Sequence, residues 1–132
     1  MVVCTKIVQL SGAVGSNAAG INGLYEPIDE FVGNASVYKK LGDGVEYWIE
    51  YYAPTGKWIV RPTADRGTNR GYAYATISPP RALEDCPIST WQVYDGSSWV
   101  RQPSFSVAQV VINRCVQIHV LIEFVLIYMS MW

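Results

Sequence analysis

The stretch Glu46–Pro62, EYWIEYYAPTGKWIVRP, constrains the fold more than any other part of the chain. Ala53-Pro54-Thr55-Gly56 is a four-residue connection with proline and glycine where a type I turn accepts them. With that loop, Tyr51 faces Trp58, Ile49 faces Val60 and Tyr47 faces Pro62. This face carries no charge. The other face takes Glu46, Trp48, Glu50, Tyr52, Lys57, Ile59 and Arg61, so every charge of the segment falls on it. A period of two sorts side chains this way, and a helix would mix them. Aromatic and β-branched residues also suit a pleated surface. Tyr47, Ile49, Tyr51, Trp58 and Val60 are therefore expected in the core. Trp48 and Arg61 stand opposite each other on the outer face, within reach of a cation–π contact of ~0.5–1 kcal/mol. An isolated hairpin is marginal in water, so other strands must cover its apolar face.

A chain of 132 residues, half of them hydrophobic, is long enough for one domain with a real core. Tyrosine, tryptophan, glycine and proline are plentiful while helix formers are sparse, which favours an all-β fold. The formal net charge of -1 provides no long-range field for nucleic acid or an anionic membrane surface. Cys4, Cys86 and Cys115 are too few and too far apart for a disulfide framework or a zinc site. They read as buried free thiols, or as one bridged pair and an odd thiol in an oxidising compartment. The start, MVVCTKIVQLSG, lacks the basic segment and long apolar run of a signal peptide, so a cytoplasmic location is expected.

Taken in order, Thr5–Leu10 reads as a first strand and SGAVGSNAAGING as a loop. A short strand at Leu24-Tyr25 is expected to stop at Pro27, with a second loop over Ile28–Asn34. Ser36–Leu41 is a strand, and Gly42-Asp43-Gly44 turns it into the central hairpin. Thr63–Asn69 is polar and loop-like. Gly71–Ile77 alternates, with Tyr72, Tyr74 and Thr76 on one face and Ala73 and Ala75 on the other. Ala82–Asp85 supports at most one helical turn. Thr90–Gln102 is a second hairpin with Asp95-Gly96 at its tip, and loops of two, three or four residues all fit it. It echoes the first, GKWIVRP against SSWVRQP, either as a weak internal repeat or as two similar hairpins. Phe105–Ile112 is a further strand. The sum is a single antiparallel meander of about seven to nine strands, forming a small sandwich or partly open barrel.

Residues 1–112 form this β module, and residues 113–132 form an apolar C-terminal tail of different character. As a membrane helix, CVQIHVLIEFVLIYMSMW is barely long enough. Nine Val, Leu, Ile and Phe residues contribute roughly -3 to -5 kcal/mol to insertion, while Glu123 near the middle opposes it by about +3 kcal/mol. As a strand, Val116, Ile118, Val120, Ile122, Phe124, Leu126 and Tyr128 line one apolar face. A packed strand is the expectation, with membrane association through residues 115–132 as the alternative; an exposed tail would be an aggregation hazard.

Motifs that carry chemistry are missing. SGAVGSNAAG lacks the G-x-G-x-x-G spacing and a following amphipathic helix, so no nucleotide site is expected. His119 is the only histidine and lies in the tail, which leaves nothing for a triad. The carboxylates Glu26, Asp29, Glu30, Glu84 and Asp85 fall in expected loops, where solvation accounts for them, and Asp43, Asp65 and Asp95 are turn residues. No calcium loop is present in the sequence. Asn34-Ala35-Ser36 is a glycosylation acceptor only in a secreted protein. The expectation is therefore a non-enzyme without catalytic residues, metal or cofactor. Trp48 and Tyr52, with Arg61 beside them, are the binding candidates. Exposed, they would form an aromatic platform for a sugar ring or a peptide; covered, they would be structural.

SGAVGSNAAGINGLYEP, VYKKLGDGVEYWIEYY, GKWIVRPTADRG and WQVYDGSSWVRQPS resemble a repeated module of about ninety residues. It belongs to large multidomain proteins of algae and other protists, where it recurs in tandem, sometimes beside ankyrin repeats or kinase domains. The resemblance runs from Leu10 to about Val110. Its markers are Gly20-Ile21-Asn22-Gly23, Tyr25, Pro27, Tyr38, Trp48, Trp58, Val60, Trp91, Asp95-Gly96 and Trp99, mostly turn and core residues. It implies a fold and carries no activity, and the tail departs from it. Function is expected to be a non-catalytic interaction module that takes an unknown protein or carbohydrate through an aromatic face. The alternative is a purely structural spacer of a repeat array.

Overall fold

A computed structural model describes residues 2–4, 6–42, 44–77, 82–83, 86, 90–110, 115–119 and 128–131. The fold is all-β. In chain order the elements are β1 (Val2–Cys4), β2 (Ile7–Ser11), α1 (Ala18–Ile21), β3 (Gly23–Val32), β4 (Ala35–Lys40), β5 (Tyr47–Tyr52), β6 (Lys57–Pro62), β7 (Ala73–Thr76), β8 (Trp91–Tyr94), β9 (Trp99–Arg101), β10 (Ser106–Val110), β11 (Cys115–His119) and β12 (Tyr128–Met131). Nine of these strands form one antiparallel sheet, in the order β10-β2-β3-β4-β5-β6-β7-β8-β9.

The two edge strands, β9 and β10, are consecutive in the chain and joined only by Gln102–Phe105. Five Cα steps reach at most about 18 Å. A flat sheet of nine strands would separate its edges by about 38 Å. The sheet must therefore curl, and it does so into a half-barrel. Polar contacts stitch the seam. The Gln102 amide donates to the Val14 carbonyl and accepts from the Val14 N–H, each at 2.8 Å. Ser104 donates to the Gly12 carbonyl at 2.8 Å, and the hydroxyls of Ser11 and Ser106 meet at 3.0 Å. Gly12 has φ +82, and a Cβ there would lie 1.8 Å from the Ser104 carbonyl oxygen. Only glycine suits that approach.

The concave face holds Val8, Leu10, Tyr25, Ile49, Trp58, Val60, Trp91, Val93 and Phe105, all buried. Ala75 pairs with Trp58 on one side and Trp91 on the other, so the small residue makes room for two indoles. Tyr38 and Tyr51 meet Trp58 edge-on, at 6.3 and 5.4 Å between centroids. Tyr25 donates its hydroxyl to the Ile21 carbonyl at 2.7 Å and ties α1 to β3. Burial, helped by the nearby Tyr47, pushes the Tyr25 phenol well above its usual range.

The central hairpin has the expected register at every pair from Tyr47 with Pro62 to Tyr52 with Lys57, and its five expected core residues are buried. Elsewhere the structure corrects the reading. Pro27 does not stop a strand: β3 runs on to Val32, and Pro27 pairs with Tyr38 before an irregularity that ends at Phe31. The missing proline N–H is absorbed at that irregularity, where the ladder is interrupted. The glycine-rich loop contains one turn of helix, α1. The echo between the hairpins is not structural. Trp58 points inward at 3 % exposure, while its textual counterpart Trp99 is 41 % exposed. A shift of one residue in a strand exchanges the faces.

Residues of the tail form two strands, β11 and β12, rather than one long one. They build a separate three-stranded sheet with β1, in which Cys4 lies opposite Cys115. The intervening residues 120–127, most of the expected apolar face, lie outside the described residues. Cys86 is buried, and its thiol donates to the Ala82 carbonyl at 3.9 Å.

Candidate functional site

The convex face of β5 and β6 is where Trp48, Glu50, Ile59 and Arg61 project, as the alternation requires. The sequence placed them on the outer face and left open whether they are exposed or covered; they are covered, at 7 %, 2 %, 2 % and 1 % exposed, and Tyr52 is half-buried. The segment from Thr63 to Gly71 folds back over them as a strap. Gly71 permits its close approach, since a Cβ there would lie 2.4 Å from the Ile59 side chain.

Ions and rings hold the strap down. Arg61 donates to the carbonyls of Asp65, at 2.7 Å, and Thr68. Its Nε lies 3.4 Å from a Glu50 carboxylate oxygen. The other Glu50 oxygen accepts from Arg66 Nε at 3.0 Å and Nη2 at 2.9 Å, and Arg66 also pairs with Glu30. The Arg66 guanidinium lies 3.9 Å from the centroid of the Trp48 ring, and Lys39 approaches the same ring at 5.1 Å. The cation on Trp48 is thus Arg66 with Lys39, in place of the expected Arg61. Burial lowers the Arg61 pKa, with Glu50 and Asp65 opposing. Burial also pulls on Arg66, but its hydrogen bonds to Glu30 and Glu50 outweigh this and its pKa is raised. Both stay cationic at any physiological pH. Trp48 Nε1 donates to Thr63 Oγ1 at 2.8 Å, completing the cover. The structure brings Trp48, Glu50 and Arg61 together, but as a bolted joint rather than an open platform.

An open aromatic group lies on the same convex side, toward the β9 edge. The β8–β9 loop has four residues, which pairs Tyr94 with Trp99 and Gln92 with Arg101. Asp95 fixes this loop by accepting from the Ser97 and Ser98 N–H groups at 2.9 Å each. These bonds hold its carboxyl below the usual range. Trp99 leans across β8: its ring centroid is 5.5 Å from that of Tyr94 and 4.8 Å from that of Tyr74 on β7. Lys57 sits over Tyr74 at 4.3 Å and ends the row. Two shallow clefts, of ≈ 420 and ≈ 210 Å³, flank Trp99 and share Asn69 and Gly71 of the strap.

Sequence reasoning did not name Trp99, Tyr74 or Tyr94 as binding residues. The available signal was the small pair Ala73 and Ala75, the first between Val60 and Val93 and the second between Trp58 and Trp91, which marks the inner face of β7 and sends Tyr74 outward. The undecided loop length hid the facing of Trp99. Among the described residues there is no group of three or more His, Cys, Asp or Glu placed to hold a metal ion, and no helix long and apolar enough to cross a membrane. His119 lies on β11.

The fold defines the class of this protein: an all-β antiparallel half-barrel with a strapped convex face. The chain matches no family model, no curated protein and no solved structure.

Proposed function

We propose that the domain is a non-catalytic binding module that contacts a carbohydrate or protein ligand through the aromatic row centred on Trp99. One observation carries this reading. Trp99 is 41 % exposed beside two clefts, whereas the indole expected to be the platform, Trp48, is sealed at 7 %. A large indole left in solvent between two clefts is the feature of an interface anchor. The expected site of Trp48, Tyr52 and Arg61 then has a supporting role, since its strap supplies one wall of both clefts.

The second reading is a structural spacer of a repeat array, as the resemblance to tandem modules suggests. The burial of Trp48 and Arg61 favours it. Printed glycan and peptide arrays probed with the full chain separate the two. Hits that vanish in a folded Trp99→Ser variant are the expected result. Blank arrays, or hits indifferent to Trp99→Ser, would leave the spacer.

A further inference from the structure

Resting on the binding-module reading, we infer that the ligand of the Trp99 face is a carbohydrate chain, a run of neutral pyranose rings laid across the indole from one cleft to the other. The larger cleft is lined by Asp65, Asn69, Arg70, Tyr72 and Tyr94, and the smaller by Lys57, Ile59, Asn69 and Tyr74, with Trp99 between them. A molecule that fills both crosses an aromatic surface at its middle and meets polar groups at its rim. A pyranose has that arrangement, with C–H groups on its faces and hydroxyls around its edge. The negative face of an indole attracts the C–H dipoles.

The polar groups fit the same ligand. Asp65 brings a carboxylate, Asn69 an amide and Arg70 a guanidinium. Each is planar, and each offers two neighbouring donor or acceptor atoms, the geometry that engages two adjacent hydroxyls. Asp65 and Arg70 cancel in the larger cleft, so a phosphate or sulfate there would meet a carboxylate as well as a cation, and in the smaller cleft Lys57 is already seated over the Tyr74 ring at 4.3 Å, so a neutral ligand is preferred.

The wall is also fixed before any ligand arrives. Arg61 donates to the Asp65 and Thr68 carbonyls, Thr68 Oγ1 donates to the Asp65 carbonyl at 2.8 Å, and it accepts the Arg70 N–H at 3.1 Å. Thr55 donates to Asn69 Oδ1 at 3.2 Å. A preset wall lowers the ordering cost of binding. A peptide would instead want an apolar pocket for an anchor side chain. Here the one aliphatic side chain among the described residues lining the clefts, Ile59, is 2 % exposed and the anchor ring belongs to the protein.

The test titrates the full chain with cellopentaose, chitopentaose, mannopentaose and xylopentaose, following the indole N–H signals by NMR and the affinity by isothermal titration calorimetry, which needs no indole at position 99. A Trp99→Phe variant assigns the Trp99 signal among the five tryptophans. At least one pentasaccharide is expected to move that signal. Trp99→Ser should weaken its binding by about tenfold or more, Asn69→Ala by about threefold to tenfold, and the matching monosaccharide should bind at least about tenfold more weakly than the chain. An unmoved Trp58 signal certifies the fold of each variant. The inference is overturned if no pentasaccharide moves the Trp99 signal, or if one binds with the same affinity after Trp99→Ser. In that event a peptide from an arrayed library that binds at Trp99 would preserve the binding module and remove only the carbohydrate. Failure of both probes at Trp99 would remove the module reading too.

Discussion

Trp58→Ala is expected to destabilise the domain by about 3–5 kcal/mol, the range for deleting a buried aromatic side chain. Trp58 is 3 % exposed at the centre of the concave face. Its ring receives Tyr38 and Tyr51 edge-on, and Ala75 opposite is too small to fill the space it would vacate. The strands on either side are held in register by their ladders, so the cavity cannot collapse. Urea unfolding, followed by far-ultraviolet circular dichroism so that the lost indole does not remove the probe, gives the number. A loss under about 1 kcal/mol would place Trp58 outside the core and reverse the two faces of the hairpin.

Glu50→Ala is expected to be comparably severe, about 3–5 kcal/mol, for a different reason. The substitution removes little apolar area. It leaves Arg61, 1 % exposed, and Arg66 facing each other without the carboxylate that both contact. A buried cation stripped of its partner keeps its desolvation cost and loses its compensation. The outer end of the same chain provides the control. Glu30 also contacts Arg66, but its side chain is 44 % exposed, and Glu30→Ala should have an effect of under about 1 kcal/mol. Equal losses for the two variants in urea unfolding would mean that the buried position of Glu50 has no special weight, and the strap would have to be held by something else.

These two positions mark what the sequence made legible. Alternation, charge sorting and a four-residue turn were enough to give the register of β5 and β6 pair by pair, because all three signals are local. Facing was legible; exposure was not. Glu50 and Arg61 do project from the convex side, yet they are buried, because a polar loop after Pro62 lies over them. Nothing in the strand itself announces a cover that comes from elsewhere in the chain. The hints lay apart: Arg66 in a loop able to reach a carboxylate, and Gly71 where the backbone returns to β6. The candidate site moved for the same reason. Trp48 is the indole under the strap and Trp99 the one beyond its edge, a difference made by folding the loop and not by either tryptophan's neighbours. The curl of the sheet was equally hidden, since the pairing of β10 with β2 joins opposite ends of the module.

That pairing has a consequence for the order in which the protein assembles. From β2 to β9 consecutive strands pair with each other, so the ladder can zip along the chain. The contact of β10 with β2 is different in kind: Ser11 and Ser106 are 95 residues apart. Closing so large a loop is entropically late unless the intervening ladder has already brought the ends together. During synthesis β2 therefore waits with one hydrogen-bonding edge bare until nearly the whole module has emerged. Pulse-labelled hydrogen exchange should find the amides of β5 and β6 protected before those of β10; simultaneous protection would mean that the whole sheet forms in one step. Seen this way, the amide of Gln102 and the glycine at position 12 are the clasp of a necklace, fastened only after every bead is on the string.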